Sequence, residues 1–72
     1  MQRIRTTEEL GAVIRAARKR QGYTQIELAE AAGVGVTYVI NLEHGKQTSE
    51  IGKALHIAEL LSISLFIEER GA

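Results

Sequence analysis

The fold turns on the stretch GVGVTYVINLEHGK, Gly33–Lys46. Gly33 stands where a left-handed residue ends one helix, Val34 opens the link to the next, and Gly45 closes a second helix expected over about Gly35–His44. Within it Val39 and Leu42, three apart, turn inward together with Val34. That leaves Val36, Thr37, Ile40 and Asn41 facing outward, a set poor in long polar side chains.

Upstream, TQIE at Thr24–Glu27 has the spacing of a capping box, in which the Thr24 hydroxyl accepts from the Glu27 amide and the Glu27 carboxylate reaches back. It opens a short helix through Ala32 whose apolar contacts come from Ile26, Leu28, Ala29 and Ala32. An earlier box, Thr6 with Glu9, starts a helix that runs to about Gln21 and is stopped by Gly22. Its Leu10, Val13, Ile14 and Ala17 recur at helical spacing and face a core, while Arg15, Arg18 and Lys19 lie off that stripe. The basic last turn suits the negative end of the helix dipole.

Downstream, Lys46 and Gln47 form a loop, and Thr48 or Ser49 caps a fourth helix over about Glu50–Leu61. Ile51, Ala54, Leu55, Ala58 and Leu61 make its expected buried stripe. Gly52 inside it costs up to about 1 kcal/mol relative to alanine, which points to close packing or a shifted start. The tail SISLFIEER then changes period. Ile63, Leu65 and Ile67 alternate with Ser62, Ser64 and Phe66, a strand pattern whose plain alternatives are a frayed tail or a longer fourth helix.

Composition narrows the possibilities. At 72 residues a chain buries only roughly 60% of its unfolded surface, so added stability from a partner chain is expected. The absence of cysteine excludes a disulfide framework and a thiolate metal site. No apolar run approaches the roughly 20 residues of a membrane span and no signal-peptide pattern opens the sequence, so a cytoplasmic, nucleoid-associated location is expected. A formal net charge of zero argues against a generic phosphate binder. Arg3, Arg5, Arg15, Arg18, Lys19 and Arg20 nevertheless crowd the first twenty residues, while Glu68 and Glu69 lie near the other end. This permits one basic face, although solvated helix charges account for the cluster equally well.

Two short helices joined through Gly33, the second ending in Leu42-Glu43-His44-Gly45-Lys46, have the helix-turn-helix layout, in which the second helix enters the major groove. The stretch GYTQIELAEAAGVGVTYVINLEHGK, continuing through Ile63–Leu65, closely resembles the phage-repressor or XRE type of helix-turn-helix. That resemblance implies an all-α fold: a four-helix, lambda-repressor-like domain over residues 1–61, followed by a short C-terminal β-strand and tail over 62–72. The opening TTEELGAVIRAARKRQGYTQ and the strand directly after the last helix look most like HipB-type antitoxins. Such proteins are DNA-binding homodimers that repress their own operon and bind a HipA-like serine/threonine kinase toxin. The tail agrees on physical grounds, since a lone apolar strand leaves backbone groups unpaired unless a second copy pairs with it. Ile63, Leu65, Phe66 and Ile67 are the candidate dimerisation residues. Two reading helices about one duplex turn apart, roughly 34 Å, then match a palindromic operator on double-stranded DNA.

Carried onto this sequence, the resemblance makes Gln25 a phosphate contact at the amino end of its helix, where free amides also favour anions. Tyr23 offers its hydroxyl to a phosphate or simply packs at the core rim. The base-contacting positions fall on Gly35, Val36, Thr37, Ile40 and Asn41. Asn41 suits an adenine edge and Thr37 a base or phosphate, whereas Val36 and Ile40 pack on thymine methyls or else touch protein. Tyr38 is a further phosphate or groove candidate, Lys46 is a point-charge phosphate partner, and Arg15, Arg18 and Arg20 add backbone contacts. Glu43 matches a structural glutamate of the family. No nucleophile, base and orienter set appears, and His44 and His56 lie twelve apart without an acid or cysteine at ligand spacing. No catalytic residue, metal, cofactor or small-molecule substrate is therefore expected. Two rival functions remain: a phage-type Cro or lysogeny regulator without a toxin, and a protein-interaction module whose DNA binding is weak.

Overall fold

The computed structural model describes residues 2–47 and 50–71. Four helices follow one another: α1 at Thr7–Arg20, α2 at Gln25–Ala32, α3 at Val36–Glu43 and α4 at Ile51–Leu60. The two amino-terminal boxes set the first two starts. Thr6 Oγ1 accepts from the Glu9 amide at 3.0 Å, and the Glu9 carboxylate accepts from the amide of Arg5, one residue before the cap, at 2.8 Å. At α2 the box closes on the cap itself, with Glu27 N to Thr24 Oγ1 at 3.0 Å and Thr24 N to Glu27 Oε1 at 2.8 Å. The Thr24 amide holds the Glu27 carboxyl below its ordinary range, because that bond favours the charged form. The expected cap of α4 at Thr48 or Ser49 lies outside the described residues. Gly52 proves to be the second residue of α4, on the exposed first turn, so the helix starts late and no close packing is involved.

All four helices end by one device. A residue with left-handed φ follows the last turn: Gly22 at +80°, Gly33 at +70°, Gly45 at +76° and Ser62 at +60°. The next amide then donates back to the carbonyl five residues earlier, Tyr23 to Arg18, Val34 to Ala29, Lys46 to Asn41 and Ile63 to Ala58, at 2.8–3.1 Å. This closure satisfies carbonyls that a helix end would orphan.

The core is built from every helix. Ile14, Leu28, Val39, Ile57 and Leu61 are essentially solvent-free, with Ala17, Ala29, Ala32, Leu42, Ala54 and Ala58 filling between them. Fully burying each of the large aliphatic side chains contributes about 1.5–3 kcal/mol. α3 packs on both α1 and α2, and α4 rests on α2. The α1–α3 approach is very close, since a Cβ on Gly11 would meet the carbonyl oxygens of Leu42 and Glu43.

Three expectations need correction. Arg18 does not lie off the core face but is buried, because its guanidinium pairs with Glu43 on α3. Ile26 is 60% exposed, since α2 turns Leu28, Ala29 and Ala32 inward and leaves its first turn outside. On α4 the buried stripe is Ala54, Ile57, Ala58 and Leu61, while Ile51 and Leu55 are 69% and 49% exposed. α4 is apolar on two faces, and only one can meet the domain core.

A further expectation, the short C-terminal β-strand within residues 62–72, is not met: among the described residues there is no strand, and none for that segment to pair with. Ile63 packs partly against the core, and the chain beyond it carries Leu65, Phe66 and Ile67 at 48%, 74% and 96% exposure. Within the described residues no helix is long and apolar enough to cross a membrane.

Candidate nucleic-acid interface

The site is organised by one buried ion pair. Glu43, at the last turn of α3, accepts from Arg18 Nε at 2.6 Å through Oε2 and from Arg18 Nη2 at 3.0 Å through Oε1. This is a two-pronged fork between side chains that are 9% and 0% exposed. Hydrogen bonding to Glu43 raises the Arg18 pKa above its ordinary value, so the cation is secured despite its burial. Arg18 Nη1 also donates to the Tyr23 carbonyl at 2.8 Å, tying the α1–α2 turn to the same carboxylate. Gln25 completes the set, its Nε2 donating to Glu43 Oε1 at 3.1 Å. The amide of the Gln25 side chain is thus held at the amino end of α2, with its own carbonyl oxygen spared from that bond.

This arrangement bears on two expectations. Gln25, expected as a phosphate contact, is half-buried at the start of α2 with its side-chain amide braced on Glu43. Arg18, proposed from sequence as a backbone contact, instead spends its donors inside the molecule. Tyr23 packs its ring against the core.

On α3 the outward residues form one face. Gly35, Val36 and Thr37 are exposed at the start of the helix, and Ile40 and Asn41 are half-buried one turn later. Gly35 caps α3 with no side-chain hydrogen bond, so the chain presents bare backbone at that end. Asn41, Tyr38 and Lys46 share a shallow concavity with Leu42, Gln47 and Glu50. The Tyr38 hydroxyl donates to the Glu50 carbonyl at 2.9 Å, and the Lys53 ammonium stands 5.4 Å from the ring centroid, within cation–π range. Burial, and next the Glu50 carboxylate, hold that hydroxyl above its ordinary pKa. Tyr38 therefore braces the α3–α4 connection, with its hydroxyl already engaged.

Sequence reasoning passed over His44 as part of this surface. It is exposed at the end of α3 and shares a second groove with Ala12, Arg15, Ala16, Lys19 and Glu43. The available signal was its spacing of seven from Thr37 and three from Asn41, which puts it on their face. No group of three or more histidine, cysteine, aspartate or glutamate residues gathers to hold a metal among the described residues.

The helix-turn-helix family model matches residues 14–67, three of the four helices in full and the second half of α1. The chain belongs to the helix-turn-helix family. It is of the XRE type, a DNA-binding regulator rather than an enzyme. A curated relative from Sinorhizobium fredii, named an uncharacterized HTH-type transcriptional regulator y4mF, is 45% identical over 65 residues, which span 90% of this chain and 86% of that protein. Among solved structures, a chain of a HipA-HipB-O2-O3 complex superposes with a TM-score of 0.85 at 22% identity, covering 99% of this chain and 100% of that one. A chain of a HipB-O4 20mer complex gives a TM-score of 0.84, also at 22% identity and over 99% and 100% of the two chains. At these identities the two superpositions establish a shared fold.

Proposed function

We propose that the protein is a homodimeric, sequence-specific repressor that autoregulates its operon and serves as the HipB-like antitoxin of a HipA-like kinase. The observation that carries the DNA reading is the outward face of α3, held in register by the buried Arg18–Glu43 pair and the half-buried Gln25 bonded to it. Gly35, Val36, Thr37, Ile40 and Asn41 enter the major groove. Asn41 reads an adenine edge by hydrogen bonding, and Val36 and Ile40 pack on thymine methyls. Gln25 and Lys46 hold phosphates on either side, with Tyr38 of α3 bracing the α3–α4 connection that carries Lys46 and with His44, Arg15 and Arg20 adding charge or donors at the flank. With so few base-edge donors, DNA shape and deformability supply much of the specificity.

Residues 62–72 are the dimerisation element in this reading. The exposed Leu65, Phe66 and Ile67, following Ile63, have no partner surface within the described chain, and a second copy supplies one by strand pairing. The exposed Ile51 and Leu55 on α4 add an apolar face to the same interface. Support for the antitoxin role comes from the fold shared with a chain of a HipA-HipB-O2-O3 complex and with a chain of a HipB-O4 20mer complex.

Fluorescence anisotropy with the duplex upstream of the protein's own coding region, against a random duplex at moderate salt, tests the DNA reading. The expected result is a clear preference for the upstream duplex, relaxed by Asn41→Ala and preserved in Lys46→Ala, which weakens both duplexes alike. Equal binding of the wild type to both duplexes rejects it. Co-expression with the product of the adjoining coding region tests the toxin part: a retained kinase supports it, and none retained leaves a phage-type regulator.

A further inference from the structure

The described residues ahead of α1 are Gln2, Arg3, Ile4, Arg5 and the cap Thr6, all exposed. Among the described residues the guanidinium groups of Arg3 and Arg5 have no carboxylate partner. Where this segment begins is fixed by the far side of the domain. Thr7 Oγ1 donates to the Gly45 carbonyl at 2.5 Å, joining the first residue of α1 to the turn that closes α3. The fit is tight enough that a Cβ on Gly45 would stand 2.5 Å from Glu8 Cα and 2.8 Å from Glu8 N. The Arg5 amide is bonded to Glu9 Oε1 at 2.8 Å, so the segment leaves the helix in a set direction.

α3 has 8 residues and so is about 12 Å long, which is about the width of the major groove. A helix of that length lying in the groove brings its end to a phosphate ridge. Whatever is stapled to that end is delivered to the same ridge, where Lys46 also stands. Arg3 stands four positions ahead of Thr7, enough for a reach of roughly 14 Å before the arginine side chain is counted.

We propose that residues 2–6 form an arm whose Arg3 and Arg5 hold DNA phosphates beside the carboxyl end of α3, a role that rests on the DNA reading above. The arm contacts the backbone and not the bases, so it adds affinity without preference. It also explains how a chain of zero net charge grips DNA: its unpaired arginines are sent forward, while Arg18 is spent inside.

The test is the salt dependence of binding to the upstream duplex and to a random duplex of equal length, for wild type, Arg3→Ala/Arg5→Ala and Arg3→Lys/Arg5→Lys. Each phosphate contact contributes about 0.9 to the slope of log K against log salt, so the alanine pair lowers the slope by about 1.8 per protomer. Between 50 and 200 mM salt the wild type should then lose roughly 12-fold more affinity per protomer than the alanine variant. The lysine pair should keep the wild-type slope, and the alanine effect should be equal on both duplexes. A wild type that binds DNA with a slope unchanged by the alanine pair overturns the arm alone, as does a loss confined to the upstream duplex at constant slope. A wild type that binds neither duplex overturns the DNA reading and the arm with it.

Discussion

Glu43→Ala is the most demanding perturbation of this architecture. It removes the acceptor of two Arg18 bonds, at 2.6 and 3.0 Å, and of the Gln25 bond at 3.1 Å. The Arg18 side chain, only 9% exposed in the intact pair, keeps the Tyr23 carbonyl as its remaining acceptor. Stranding one member of a buried ion pair costs about 3–5 kcal/mol. A domain of 72 residues has a total stability of roughly 4–11 kcal/mol at typical values per residue. The variant should therefore lose about half of its stability, and its Tm should fall by well over 10 °C, at about 4–8 °C per kcal/mol for a domain of this size. Replacing the pair by apolar side chains of similar volume, Arg18→Met with Glu43→Leu, should recover most of that loss, since the desolvation cost of both charges goes too. Urea and thermal unfolding followed by circular dichroism at 222 nm measure wild type, Glu43→Ala and the apolar pair, with Arg18→Met alone and Glu43→Leu alone completing the cycle. Stability of Glu43→Ala within about 1 kcal/mol of wild type refutes the reasoning. The apolar pair also separates structure from function: it should fold, yet bind DNA more weakly, because Gln25 has lost its brace.

Gly45→Ala should cost about 2–5 kcal/mol, from left-handed backbone at φ +76° and from the clash with the Glu8 backbone. Gly33→Ala, at φ +70° with open space around it, should cost only about 1–2 kcal/mol, and equal losses in urea melts would discount the α1–α3 staple. Glu27 has a folded pKa below its unfolded value, so its contribution is present above the unfolded value and is lost as pH falls through the folded one. The stability difference between wild type and Glu27→Gln should accordingly shrink from about pH 5 toward pH 3, and a difference constant with pH would contradict the cap. Ser62→Gly should stabilise by roughly 0.5–1 kcal/mol, because the left-handed φ of +60° costs serine more than glycine loses in chain entropy; a lower midpoint in the melt would refute this.

The helix starts and stops were legible because they are local. Thr24 with Glu27, and Gly22, Gly33 and Gly45, each act within five residues of chain. Ser62 showed no such signal, since its side chain does not announce a left-handed φ. Two non-local facts were not legible. Periodicity marked Arg18 as a surface charge because nothing in α1 reveals a carboxylate 25 residues away that makes its burial tolerable. On α4, Ile51 and Leu55 read as core alongside Ala54 and Ala58, because apolar spacing does not say whether a face meets its own domain or a partner. His44 escaped because it was weighed only as a metal ligand, while its place beside Arg15 and Lys19 depends on how α1 crosses α3.

In the proposed complex the outward face of α3 meets DNA. Amide chemical shifts of the 15N-labelled protein titrated with the upstream duplex test it most directly. The largest changes are expected at Gly35, Val36, Thr37, Ile40 and Asn41, with Gln25 and Lys46 next and the Ile51–Leu55 face of α4 unmoved. Changes gathered on the α4 face and tail, with α3 silent, would contradict it.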